Sequence, residues 1–259
     1  MTYPLTMRAM LLASALALAP AAWAETPADT LVVAHTIDDI ISLDPAVSFE
    51  FAGNDVNNNT YDRLVDFNPL DPDAGFQPSL ATEWAVSEDG LSITFTLRED
   101  ATFHSGNPVR AADAAWSLQR AVKLDKTPAF ILTQFGFTAD NVDQMITADG
   151  NTLTLTMDKP YAPTFVLNCL TANIASVVDM ETVMANEVDG DMGNAWLNTN
   201  EAGSGAYVLS AWRPNEAVQL TAYEEYWQGA PEMKRVIVRN VAESSAQRLL
   251  LEQGDIDVA

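Results

Sequence analysis

Hydrophobic and polar positions alternate with a period of two at three places along the chain, each time beside a turn sequence. Thr82–Val86 and Leu91–Leu97 flank Ser87-Glu88-Asp89-Gly90, and Gln144–Ala148 and Thr152–Met157 flank Asp149-Gly150. Tyr207–Arg213 and Ala217–Tyr223 flank Pro214-Asn215-Glu216. The pattern predicts three antiparallel hairpins, each half buried. Asp-Gly suits the first two turns because glycine takes positive φ without a Cβ clash. Thr30–Ala34 and Val236–Val238 are short β-branched runs and read as buried strands.

Helical spacing marks other segments. In Arg110–Leu124, Ala112, Ala115, Trp116, Gln119 and Val122 fall on nearly one face, with Arg110, Asp113 and Arg120 mostly outside it. Val56, Tyr61, Leu64 and Val65 give Asn54–Val65 a helix-like pattern, and Asp66–Pro78, rich in Pro and Asp, reads as loop. Near the end, Ser244-x-x-Gln247 predicts a capping box, with Leu249 and Leu250 following and Gly254 suited to the helix stop. The order is mixed α and β, with antiparallel hairpins set between strand–helix units and no internal repeat.

The first 24 residues differ from the rest. Met1–Ala24 carries one base, Arg8, and no acid; Ala9–Ala22 is almost wholly apolar, and Ala22-Trp23-Ala24 precedes Glu25 and an acidic polar stretch. A basic start, a short apolar stretch and small residues at the end predict a secretory signal peptide cut between Ala24 and Glu25. The apolar stretch is too short for a spanning helix, which needs ~20 residues. No Cys follows it, so a lipid anchor is not expected. The mature chain is expected to be exported and soluble.

Charge narrows the partners. With 13 Lys+Arg against 36 Asp+Glu the 259-residue chain carries a formal charge of −23. Such a surface repels phosphates, which argues against nucleic acid and anionic membranes. The 48% apolar fraction is enough for a packed core and excludes a disordered acidic tail. Two His and one Cys exclude a zinc finger, an iron–sulfur cluster and an internal disulfide. Cys169, in an apolar segment, reads as a small buried hydrophobe.

Catalytic motifs are missing. There is no G-x-S-x-G, no H-E-x-x-H and no Walker-type glycine-lysine sequence, and His35 and His104 read as structural. Asp189-Gly190-Asp191 lacks the full calcium-loop spacing. No cofactor, catalytic residue or metal site is expected. Thirty-six acids still supply carboxylate pairs by chance, so a secreted hydrolase using two carboxylates stays open as an alternative.

Two groups of motifs then become specific. The first is Gln77-Pro78-Ser79-Leu80-Ala81-Thr82-Glu83-Trp84, Ser87-Glu88-Asp89-Gly90, Thr94-Phe95-Thr96-Leu97-Arg98, Phe103-His104-Ser105-Gly106 and Ala112-Asp113. The second is Gly203-Ser204-Gly205-Ala206-Tyr207, Tyr226-Trp227-Gln228-Gly229-Ala230-Pro231 and Leu251-Glu252-Gln253-Gly254-Asp255-Ile256-Asp257. In this order they resemble the solute-binding proteins of peptide and nickel ABC importers, the dipeptide- and oligopeptide-binding group known as solute-binding family 5. The resemblance runs from about Thr30 to Ala259. The chain departs from the family pattern in places: its Gly-Thr-Gly-Pro-Tyr is Gly203-Ser204-Gly205-Ala206-Tyr207 here, Tyr223 replaces its usual Asn, and Lys234 its usual acid.

The resemblance implies an α/β fold of the class II periplasmic-binding-protein type, in which two lobes close over a ligand. Residues 30–67 plus 200–259 would form an incomplete first ligand-binding lobe, and 68–199 an inserted α+β subdomain. Family members are about twice as long, so the chain is expected to be a fragment lacking the second lobe.

It also implies extracytoplasmic capture of di- or oligopeptides or similar small solutes and delivery to an ABC permease and its ATPase at the inner membrane. The localisation would be periplasmic, the protein a monomer without cofactor or enzymatic activity. A nickel or other metal chelate, or an oligosaccharide, is the alternative cargo on the same fold. Carried onto this sequence, the ligand contacts are Asp38 and Asp39, then Ser48, Phe49, Glu50 and Phe51, then Phe130 and Asn173. The phenylalanines would supply apolar walls, the acids could pair with a cationic end, and Asn173 could donate or accept.

Overall fold

The computed structural model describes residues 26–68 and 70–259; the predicted signal peptide and its cleavage point at Ala24 and Glu25 lie outside them. Strand β1 (Thr30–His35) leads into helix α1 (Phe51–Thr60), and β2 (Val65–Phe67) pairs antiparallel with β3 (Phe76–Pro78). Next come β4 (Ala81–Val86), β5 (Ser92–Leu97) and helix α2 (Ala111–Leu124). Short helices α3 (Phe130–Thr133) and α4 (Val142–Met145) precede β6 (Ile146–Asp149) and β7 (Thr152–Thr156). Helices α5 (Pro163–Leu170), α6 (Met180–Met184) and α7 (Asn194–Leu197) follow. Strands β8 (Tyr207–Arg213), β9 (Ala217–Ala222) and β10 (Arg235–Asn240), then helix α8 (Ser244–Gln253), complete the order.

Two four-stranded sheets result. One runs β4-β5-β7-β6, antiparallel throughout; the other runs β1-β10-β9-β8, antiparallel except for the parallel pair β1 and β10. All three predicted hairpins form. In the first, the Asp89 carboxylate accepts the Ser87 hydroxyl at 2.6 Å and the Leu91 N–H at 3.0 Å, and Gly90 sits at φ 70°. The side chain therefore closes the turn that glycine makes possible.

Alternation on β5 buries Ile93, Phe95 and Leu97, and Leu153 and Leu155 of β7 join them under α2 and α5. A separate core gathers Val218 and Leu220 of β9 with Ile37, Ile40, Leu43, Ala52 and Val56, so α1 packs on the second sheet. Each such side chain removes apolar area worth about 1.5–3 kcal/mol.

Several expectations need correction. Helix α1 spans Phe51–Thr60, not Asn54–Val65, because Tyr61 is extended (φ −124°, ψ 149°) and the Thr60 carbonyl accepts the Gly205 N–H at 3.0 Å. Val65 pairs with Pro78, so part of the expected 66–78 loop is a two-stranded ribbon. Gln144 and Met145 belong to α4 rather than to a strand.

On α2, Ala115 and Val122 are buried as expected, but Ala112 is exposed while Asp113 and Arg120 are buried, against the expected face at those three positions. Arg120 turns inward because Asp44 waits there: Nη1 meets Oδ1 at 2.9 Å and Nη2 meets Oδ2 at 2.6 Å. The expected capping box is also absent. Ser244 is already the first residue of α8, and Gln247 Nε2 donates instead to the Val241 carbonyl at 2.6 Å. Cys169 is half-buried rather than buried, against the main core, and burial pushes its thiol pKa up.

A polar seam joins the two sheet layers at Gly203-Ser204-Gly205. Asp62 accepts from Ser204 Oγ at 2.9 Å, Tyr226 OH at 3.0 Å and Trp227 Nε1 at 3.1 Å. Burial lifts its carboxyl above the usual range, against the pull of those donors and of Arg63. The guanidinium of Arg98 lies 3.4 Å over the Trp227 ring.

Beside it, His104 Nδ1 is 2.9 Å from both Glu201 oxygens and Nε2 is 2.9 Å from the Gly205 carbonyl. A neutral imidazole has one N–H and cannot donate to both sides, so with Glu201 ionised the geometry favours the imidazolium. Burial alone would lower the His104 pKa; the hydrogen bond and charge of Glu201, the Gly205 carbonyl and the Asp62 charge together raise it.

A proton held more tightly in the folded state stabilises fully below the ordinary His value, and that contribution fades as pH rises through the raised folded value. The wild-type urea midpoint is therefore expected to fall between pH 6 and pH 8.5, and His104→Gln to fall less. Equal slopes for the two proteins would refute the buried imidazolium.

Candidate functional site

A cleft of about 330 Å³ opens where α1 faces the segments around residues 128–131 and 171–174. One side carries Ser48, Phe49, Phe51, Asn54, Asp55 and Asn58; the other carries Pro128, Ile131, Thr171, Ala172, Asn173 and Ile174. The chain reaches the first side through the Asp44-Pro45 turn, where the Asp44 carboxylate accepts the Ala46 N–H at 3.0 Å. Phe51 then opens α1, so positions 51, 54, 55 and 58 recur at helical spacing along one face.

The rim is aromatic. Phe49 and Phe130 meet edge to face, centroids 5.8 Å apart at 89°, although they come from opposite sides of the cleft. Phe51 is 85% exposed, Phe130 57% and Phe49 49%. The rest of the lining mixes Ser48, Asn54, Asp55, Asn58, Thr171 and Asn173 with Pro128, Ile131, Ala172 and Ile174, and Asp55 is its one charged side chain. Ser48 Oγ and Asn54 Oδ1 are buried atoms without a hydrogen-bond partner, a state that is costly unless a ligand or solvent completes it.

Asn173 locks the two sides together. Its Oδ1 accepts from Arg63 Nη1 at 2.9 Å, and its Nδ2 donates to the Asn54 carbonyl at 3.2 Å. The same Arg63 nitrogen reaches Asn58 Oδ1 at 2.9 Å.

The residues carried over by resemblance fall into two groups. Ser48, Phe49, Phe51 and Asn173 line the cleft, and Phe130 stands against Phe49 at its rim. Glu50, Asp38 and Asp39 do not line it. Glu50 folds back to accept the Ile41 N–H at 3.0 Å and the Phe49 N–H at 2.8 Å, bracing the loop. Asp38 and Asp39 are exposed in the turn after β1. Asn54, Asp55 and Asn58 were not singled out from the sequence; their shared helical face was the available signal. Among the described residues no group of three or more His, Cys, Asp or Glu is placed to hold a metal ion. Among the same residues no helix is long and apolar enough to cross a membrane.

The family model described as bacterial extracellular solute-binding proteins, family 5 (middle region) matches residues 75–259, and the chain belongs to that family. It is 33% identical over 244 residues to the probable D,D-dipeptide-binding periplasmic protein DdpA of Escherichia coli K12, covering 93% of this chain and 45% of that one.

The fold matches the structure of the E. coli murein tripeptide binding protein MppA with a TM-score of 0.74 and 30% identity, over 88% of this chain and 45% of that one. It also matches the periplasmic binding protein DppA from Helicobacter pylori in complex with the peptide STSA, with a TM-score of 0.70 and 27% identity, over 88% and 45%. The chain thus spans somewhat under half the length of these relatives.

Proposed function

We propose that this chain forms a wall of an extracytoplasmic binding site that captures peptides, or small solutes built like them, for an ABC importer. The observation that carries the reading is the cleft itself: exposed phenylalanines beside a mixed apolar lining that includes Asn54, Asn58 and Asn173, which suits a ligand with apolar side chains and backbone polar groups. The peptide-binding names of DdpA and MppA support the same cargo class. Delivery goes to a membrane permease driven by an ATPase, and no bond of the cargo is made or broken. Export with removal of the leader between Ala24 and Glu25 belongs to this reading.

Calorimetry of the periplasmically expressed protein against di- to tetrapeptides tests it, with N-terminal sequencing of the same sample reporting the cleavage. Saturable heat with peptide recovered intact is expected. Peptide hydrolysis, or saturable binding of an oligosaccharide or nickel chelate where peptides give none, would overturn it.

A further inference from the structure

We infer that this wall selects the side-chain face of its cargo: it takes a large apolar or aromatic side chain together with a neighbouring N–H, and it rejects an anionic group. The inference rests on the peptide reading above and adds which peptide chemistry the wall accepts.

Three observations converge. First, Phe49 and Phe130 form an edge-to-face corner, and Phe51 stands 85% exposed at the start of α1 beside them. Three exposed phenylalanines at one mouth form an apolar surface of the kind that marks a binding site. A ring or branched aliphatic group entering that corner would be removed from water against aromatic faces and edges.

Second, the unpaired buried atoms beneath the rim need particular partners. Asn54 Oδ1 is an acceptor only, so what completes it is a donor, as a peptide N–H is. Ser48 Oγ, 1% exposed as a residue, takes either role. Third, the lining carries no Lys or Arg. Its one charged side chain is Asp55, whose Oδ2 lies 3.7 Å from His35 Nε2. Arg63 stands outside the lining; its Nη1 and Nη2 are taken by Asn58, Asn173 and Asp66, while its Nε is buried without a partner. A carboxylate placed against the lining would meet a like charge and no lining cation, on a chain of formal charge −23.

The test is an amide-resolved NMR titration of the full chain with Gly-Phe-Gly, Gly-Leu-Gly, Gly-Lys-Gly and Gly-Glu-Gly up to millimolar concentration. Gly-Phe-Gly and Gly-Leu-Gly are expected to bind about tenfold more tightly than Gly-Glu-Gly, with the largest shifts at residues 48–58 and 128–131. Phe51→Ala, at an exposed position, is expected to weaken Gly-Phe-Gly about tenfold with an unchanged melting temperature. Equal affinity for Gly-Glu-Gly and Gly-Phe-Gly, or an unaffected Phe51→Ala variant, would overturn this inference while leaving peptide capture standing. Absence of shifts with all four peptides would overturn both.

Discussion

Arg120→Met is expected to destabilise this chain by about 3–5 kcal/mol, the range found when one partner of a buried ion pair is removed. Asp44 and Arg120 are 0% and 2% exposed, and their contact is a two-point fork. Arg120 Nε also donates to the Met192 carbonyl at 2.8 Å, and Asn194 Nδ2 donates to Asp44 Oδ2 at 2.7 Å. The pair thus ties the Asp-Pro turn below the cleft to α2 and to the segment around α7.

Methionine fills much of the same volume but leaves the Asp44 carboxylate buried with only the Asn194 and Ala46 donors. Asp44→Asn on top of Arg120→Met removes the stranded charge and keeps an oxygen for the Ala46 N–H, so the double variant is expected to recover at least half of the loss. Urea unfolding followed by circular dichroism measures both. A single-variant loss below about 1 kcal/mol would show that the pair contributes little beyond its own desolvation.

Gly203→Ala should be comparably damaging for a purely steric reason. A Cβ on Gly203 would sit 1.9 Å from the Thr60 carbonyl oxygen and 2.9 Å from the Tyr61 ring. Backbone atoms cannot swing aside as a flexible side chain can, so the α1 end or the 203–205 segment must shift. That shift would disturb the Gly205 to Thr60 hydrogen bond and the His104 to Gly203 bond at 2.9 Å.

Overpacking typically costs about 1–3 kcal/mol and occasionally more, and a clash with backbone atoms puts this site at the upper end. Gly150→Ala is the matched control: its φ is +59° and a Cβ there would meet nothing within 4 Å. Only the conformational penalty of about 1–2 kcal/mol applies. Comparable melting temperatures for the two variants would mean that the 203–205 crossing is looser than its geometry indicates.

The parts of the fold legible in the sequence are those with local causes. Asp89-Gly90 and Asp149-Gly150 announce their hairpins because the turn and the alternating strands lie within a dozen residues of one another. The end of α1 was hidden because nothing in Asn57-Asn58-Asn59-Thr60 marks a stop. The helix ends where Gly205, 145 residues later, claims the Thr60 carbonyl. Arg120 was placed outside for the same reason: an arginine on a helix reads as solvent-facing until a carboxylate 76 positions away is brought to it.

At the site, Phe49, Phe51 and Phe130 came from the resemblance and not from periodicity, since isolated phenylalanines look alike in cores and at rims. Glu50 could equally have faced a ligand. In the fold its oxygens turn onto the Ile41 and Phe49 amides.

Arg63 and Asn173 hold α1 against the 171–174 segment, so on the peptide-capture proposal the spacing between the cleft's two sides is set before any guest arrives. A rigid mould of this kind loses little free energy to ordering itself when it fills. Preferred and rejected guests should then meet it at similar encounter rates and differ in how long they stay.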